Sequence, residues 1–294
     1  VFPVLEAAGL QVDKLQIAGD FVTSSGTSQL GVLRAMKSFV EDDTMRRVNN
    51  GEKLYKQILF KENSVCTVRE CVFFAALVVM SSSFLFLPGV YVDCIPQQSR
   101  SSKSGDHLIW LTFDAPWFLN SNQRDADLLF SESDITTNSS GVVTDGYREV
   151  GMLIRIPCKV LSGKVPPKAL LQFGHSIFND RSEALDEYAG DLAEKNGWIV
   201  FAVDWRGFSR FDVPVFGRTL LYTPDSFQRI VYGIWQGYAN NYLGQAVVTE
   251  FLNRHYSKAF GDVSSLPFVF YGNSMGGILG SGYTAFAGTF ERAI

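Results

Sequence analysis

The chain has 294 residues, of which 46% are hydrophobic and 19% charged; that is enough for a buried core and excludes wholesale disorder. A net charge of −4 with a pI near 5.5 leaves no basic footprint, so no nucleic-acid partner is expected. Cys66, Cys71, Cys94 and Cys158 lack metal-ligand spacing, so no metal and no cofactor is expected and the thiols are read as free or buried; a Cys66–Cys94 disulfide would need an oxidising compartment.

In chain order, Val4–Gly9 reads as a short helical stretch and Leu15–Val22 as a strand. A helix follows over Leu30–Glu41, where Leu33, Met36, Phe39 and Val40 give one apolar face behind the turn and cap residues Thr23–Ser28. Cys71–Val92 carries no charge at all. Three readings of it stay open: a transmembrane helix, two buried strands around Ser81–Ser83, or sequence foreign to the protein through a gene-model error. A membrane-associated or secreted location is the expectation only if that segment, or a leader before Val1, supports it. His107–Phe113 and Gly151–Ile156 alternate as strands, and Asn138 in the loop between them is a formal glycosylation acceptor. Residues 1–160 thus read as an irregular α+β accessory region with an apolar insert at 71–92.

After Pro166-Pro167 the pattern changes to strand, helix, strand, helix, strand, helix. Ala169–Phe173 and Trp198–Val203 are continuous apolar runs of the kind buried on both faces of a parallel sheet. Between them Ser182–Lys195 has a helical face and Gly197 as its stop. A long helical region spans Phe227–His255, and Pro267–Tyr271 is a third buried strand. Residues 161–294 therefore predict an α/β fold, a doubly wound and mostly parallel sheet.

The chemistry concentrates where that third strand ends. Gly272-Asn273-Ser274-Met275-Gly276 has the spacing of a nucleophile elbow, in which a serine sits on a sharp strand-to-helix turn and glycines two residues either side leave room for it. Ile278–Ala287 supplies the small-residue helix behind it. Ser274 is the expected nucleophile. The Met275 N–H, at the start of that helix, is the first expected oxyanion donor. The second is expected from Gly174-His175-Ser176-Ile177, after the Ala169–Phe173 strand, through the N–H of Ser176 or Ile177.

LLQFGHSIF, WIVFAVDWRGFSRFDVP and FVFYGNSMGGILGSGY together resemble the α/β-hydrolase superfamily, esterase- or lipase-like. More narrowly they resemble microbial hydrolases with a Q-[YF]-G-H-G oxyanion segment and a G-N-S-x-G-G elbow, and DFVTSS at Asp20–Ser25 resembles their accessory region. The resemblance covers about residues 15–40 and 105–294, and departs at Ser176, where such proteins carry a second glycine. It implies a serine hydrolase acting on a small-molecule or lipid ester, with the aromatic stretch Phe208–Trp235 as a cap or as plain core. Asp204 and Arg206 are expected to pair with loop backbone. The alternatives are a non-catalytic binding protein on the same fold, or a peptidase or acyltransferase.

That fold orders its triad serine, acid, histidine. Glu291 is the only acid after Ser274 and none of the three histidines follows it. The chain is therefore read as C-terminally incomplete and inactive by itself. His107 is expected to be an ordinary surface or strand histidine, His175 part of the oxyanion loop, and His255 a helix-end charge partner.

Overall fold

The computed structural model describes residues 26–62, 106–119 and 142–294. The elements expected at Val4–Gly9 and Leu15–Val22, the apolar insert 71–92 and the Asn138 loop lie outside these residues. Among the described residues no helix is long and apolar enough to cross a membrane, and no group of His, Cys, Asp or Glu could hold a metal. Cys158 is disulfide-bonded, against the expectation of free or buried thiols; the other three cysteines lie outside the described residues.

Helix α1 runs Gly26–Asn49, longer at both ends than its apolar face suggests. Strands β1 (Tyr55–Glu62), β2 (His107–Pro116) and β3 (Tyr147–Ile156) form an antiparallel meander. A one-turn helix α2 (Cys158–Leu161) leads to β4 (Ala169–Gly174), a 3₁₀ turn at Arg181–Leu185, α3 (Glu187–Asn196) and β5 (Trp198–Val203). Helices α4 (Val213–Tyr222) and α5 (Gln228–Phe260) precede β6 (Phe268–Gly272), α6 (Met275–Ala287) and β7 (Phe290–Ala293).

The fold is α/β. Seven strands form one sheet in the order β1-β2-β3-β5-β4-β6-β7. Pairings from β1 to β5 are antiparallel, and those among β5, β4, β6 and β7 are parallel. The strands read as accessory thus share a sheet with those after residue 160, β3 pairing directly with β5.

Strand geometry explains why both faces are covered. Alternate side chains point to opposite sides, so Ile199, Phe201 and Val203 of β5 join α5 residues Leu243, Val247, Val248 and Phe251 in one core. Val200 and Ala202 face the other way, onto Ala189 and Ala193 of α3. A continuous apolar strand needs a layer on each side, and the chain supplies one. Gly197 ends α3 at φ 72, the left-handed cap expected of it.

The helix expected over Ser182–Lys195 is broken at Asp186, which is extended at φ −57, ψ 151. Arg155 on β3 provides the cause: its guanidinium, 1% exposed, donates to the carbonyls of Ala184 and Asp186 at 2.9 and 3.0 Å and faces Asp106. The Ala184 carbonyl is thereby held by a strand far away in sequence, and the Asp186 carbonyl, shared between Arg155 and the Gly190 N–H, opens α3.

Burial also sets an alkaline limit. The phenols of Tyr238 and Tyr256 are pushed up to about 12 by burial, and that of Tyr283 also upward. Folded values above the unfolded one mean that their stabilisation is complete below about pH 10 and is lost as pH rises towards 12. We expect tyrosinate absorbance at 295 nm to rise together with loss of far-UV circular dichroism over that interval. Full ionisation of all tyrosines by pH 11 with the fold intact would contradict this.

Candidate active site

The order of the parallel strands places a crevice. From β4 the chain passes to β5 on one side and later to β6 on the other, so β4 and β6 meet where the winding reverses. In open α/β sheets that point, outside the carboxyl ends of the strands, is where sites form. Gly174 ends β4 and pairs with Gly272, which ends β6.

Ser274 follows on a sharp turn. It is exposed, and its backbone sits at φ 51, ψ −115, a left-handed φ that costs a non-glycine residue of order 1–3 kcal/mol. Strain of this kind persists only where the surroundings enforce it, and here they are visible. The Asn273 N–H donates to Gly174 O at 2.9 Å, and Gly276 N–H returns to Asn273 O at 2.8 Å. A Cβ on Gly276 would overlap the carbonyl of Gly174, and one on Gly272 would overlap that of Gly276. Gly272 and Gly276 are thus fixed by backbone meeting backbone, which no rotamer change can relieve.

The start of α6 aims donors at the crevice. The Met275 N–H lies among the first-turn donors of the helix, and no acceptor takes it among the described residues. On the facing loop the two expected donors differ. The Ser176 N–H donates to Glu183 Oε2 at 2.8 Å, and its hydroxyl donates to the same oxygen at 2.7 Å. The Ile177 N–H has no acceptor among the described residues. Phe178, the other non-glycine residue at positive φ (53) among the described residues, hands its N–H to Phe208 O.

His175 and His107 lie in the loop and the strand expected of them, and His255 departs from its expected place. His175 is fully buried; its Nε2 accepts the Trp205 N–H at 2.8 Å, so the proton lies on Nδ1, which donates to Ser176 O at 2.8 Å. Both ring nitrogens are occupied by backbone, and His175 braces the loop rather than facing Ser274. His107 is in strand β2 and buried, its Nε2 2.7 Å from the Tyr256 hydroxyl. His255 lies inside α5 against Phe251, bonded to Tyr55 Oη at 2.8 Å, instead of serving as a helix-end charge.

Asp204 does pair with backbone, accepting the Arg181 N–H at 2.7 Å, and also meets the Arg181 guanidinium. Burial raises the Asp204 carboxyl above its ordinary value, with the Arg181 charge opposing. Arg206 instead pairs with Asp212 at 2.6 Å. Asp180 caps the 3₁₀ turn through Ser182 N–H; burial pushes its carboxyl up, but the Ser182 bonds and the charges of Arg210 and Arg181 hold it below the usual range.

The aromatic stretch divides in two. Phe208 and Phe216 pack on Phe178 of the loop, while Phe211, Leu221 and Tyr222 are exposed. Ile230, Tyr232 and Trp235 belong to the α5 side of the core. One cavity of about 890 Å³ lies between α1 and α5, and another of about 440 Å³ lies by Trp117, Arg181 and Asp204. Ser274 lines neither and stands open to solvent.

Glu183 was not foreseen. In a segment read as an amphipathic helix, an acid reads as solvent-facing, yet this one is 4% exposed beside the β6–α6 turn.

No family model matches the chain, and no curated protein matches it in sequence. Solved structures share parts of its shape. A cold-adapted esterase from an Arctic intertidal metagenomic library is 18% identical at a TM-score of 0.34, over 63% of this chain and 59% of that one. A thermostable carboxyl esterase from Bacillus coagulans is 18% identical at 0.30, over 51% and 40%. Acetyl xylan esterase 1 from Thermoanaerobacterium sp. is 14% identical at 0.32, over 67% and 49%. The chain therefore spans less than two thirds of each, and at these scores the fold class rests on its own sheet.

Proposed function

We propose that Ser274 is the nucleophile of a serine hydrolase that cleaves esters through an acyl-enzyme. The observation that carries this is the strained, exposed backbone of Ser274 at a strand-to-helix turn, enforced by the backbone of Gly174, Gly272 and Gly276. In this reading Ser274 Oγ attacks the ester carbonyl, its proton leaves to a base, and the carbonyl oxygen gains charge beside the N–H groups of Met275 and Ile177. The Ser176 N–H drops out of the role, since a donor already held by a carboxylate is unavailable to an oxyanion. Ile177 and Ile278, both exposed next to these groups, favour an apolar acyl chain.

A second reading has its own support. All three histidines are engaged away from Ser274, so none of them serves as its base in this arrangement. Without one, a serine hydroxyl is a poor nucleophile and the same crevice would serve binding alone.

Hydrolysis of p-nitrophenyl esters by the full-length protein separates the two. The enzyme reading expects turnover that favours medium over two-carbon acyl chains and that Ser274→Ala lowers by roughly three to six orders of magnitude. Turnover unaffected by that substitution overturns it.

A further inference from the structure

We infer that Glu183 is a positioning residue that locks the oxyanion loop to the elbow, an inference that rests on the reading of Ser274 as nucleophile. Its two oxygens face opposite halves of the site. Oε2 accepts the N–H and the hydroxyl of Ser176, and Oε1 accepts the amide of Asn273, the residue before Ser274. Tyr188 Oη approaches Oε1 at 3.4 Å. One buried side chain thus joins the loop after β4 to the turn after β6.

The platform beneath it is braced from three directions. Asp180 caps the 3₁₀ turn, Asp204 after β5 accepts its first N–H, and Arg155 from β3 holds its last carbonyls. With the turn fixed, the carboxylate has one place to be, and the loop and the elbow are set relative to it. Ile177 follows directly on Ser176, so the position of its N–H against that of Met275 depends on this link. Oxyanion donors contribute through preset geometry, and misplacement by about 1 Å can cost about a hundredfold in rate.

The chemistry of the pair explains why a carboxylate stands here and a neutral amide does not. Every group that faces Glu183 at these oxygens is a donor, and a carboxylate only accepts. A glutamine of the same shape would have to turn its NH₂ either on Ser176 or on Asn273, setting donor against donor. The charge also strengthens each bond. No ion pair to Glu183 is present among the described residues; its partners are all neutral, and two of the three anchor points belong to the site.

The test is steady-state hydrolysis of p-nitrophenyl butyrate by the full-length protein, with amide hydrogen exchange over residues 175–179. Glu183→Gln is expected to lower kcat about 10- to 100-fold with KM changed less than about threefold, and to speed exchange of the loop. Pairing it with Asn273→Asp reverses the polarity: the glutamine NH₂ then meets the new carboxylate while its carbonyl still accepts from Ser176. That double variant is expected to recover most of the lost kcat and the slow exchange. A general loss of stability would not be undone by this exchange of partners. Unchanged kcat in Glu183→Gln, or a double variant no better than the single, overturns the positioning role while leaving the nucleophile assignment intact. Absence of any Ser274-dependent turnover in the unsubstituted protein overturns both.

Discussion

Gly276→Ala is expected to destabilise the fold by about 2–4 kcal/mol, seen as a lower urea midpoint, and to remove any ester turnover. Overpacking usually costs about 1–3 kcal/mol because side chains can shift. Here the added methyl would meet the carbonyls of Gly174 and His175, which are backbone at the end of a central strand. To make room, α6 would have to lift away from β4, breaking the bond from Asn273 N–H to Gly174 O and relaxing Ser274. Gly217→Ala, in helix α4 with nothing within 4 Å of the added carbon, is the matched control. It should gain about 0.5–1 kcal/mol from helix propensity and the reduced freedom of the unfolded chain. Equal effects at the two positions would refute the backbone-contact account of the elbow.

Arg155→Ala should cost about 3–5 kcal/mol. The guanidinium is 1% exposed and lies against Asp106, itself 4% exposed. Deleting one partner of a buried pair leaves the other charge in a poor solvent, which is the expensive way to break such a pair. It also takes the donors from the carbonyls of Ala184 and Asp186. Arg155→Lys should rescue little, because a single ammonium cannot reach a carboxylate and two carbonyls in the fixed directions of the guanidinium fork. The check is equilibrium urea unfolding of each variant. A loss under about 1 kcal/mol for Arg155→Ala would show that the pair contributes little, and that the 3₁₀ turn is held by its cap alone.

The sharp turn between β6 and α6 was legible in the sequence because its constraint is local. Gly272, Ser274 and Gly276 lie within five residues, and the turn between a buried strand and a helix allows few other choices. The strands Ala169–Gly174 and Trp198–Val203 were legible for a related reason, since burial on both faces writes itself as an unbroken apolar run. What is not legible there depends on partners distant along the chain. The break at Asp186 is imposed by Arg155 of β3, and the burial of Glu183 by Ser176 and Asn273. Strand β1, YKQILFKE, lies at the sheet edge, where lysines blunt an exposed row of backbone groups and hide the alternation. The division of the aromatic stretch had a visible sign in Pro224, which separates α4 from α5. The closure of Ser176 by Glu183 had none, because a serine in place of a glycine says nothing about where its N–H points.

The reading of Ser274 as nucleophile is tested most directly by intact-protein mass spectrometry after exposure of the folded, full-length protein to a fluorophosphonate. The account predicts one adduct per chain, on Ser274, and none on the Ser274→Ala variant. A folded protein that gains no adduct, or an adduct that persists when Ser274 is replaced by alanine, would contradict it.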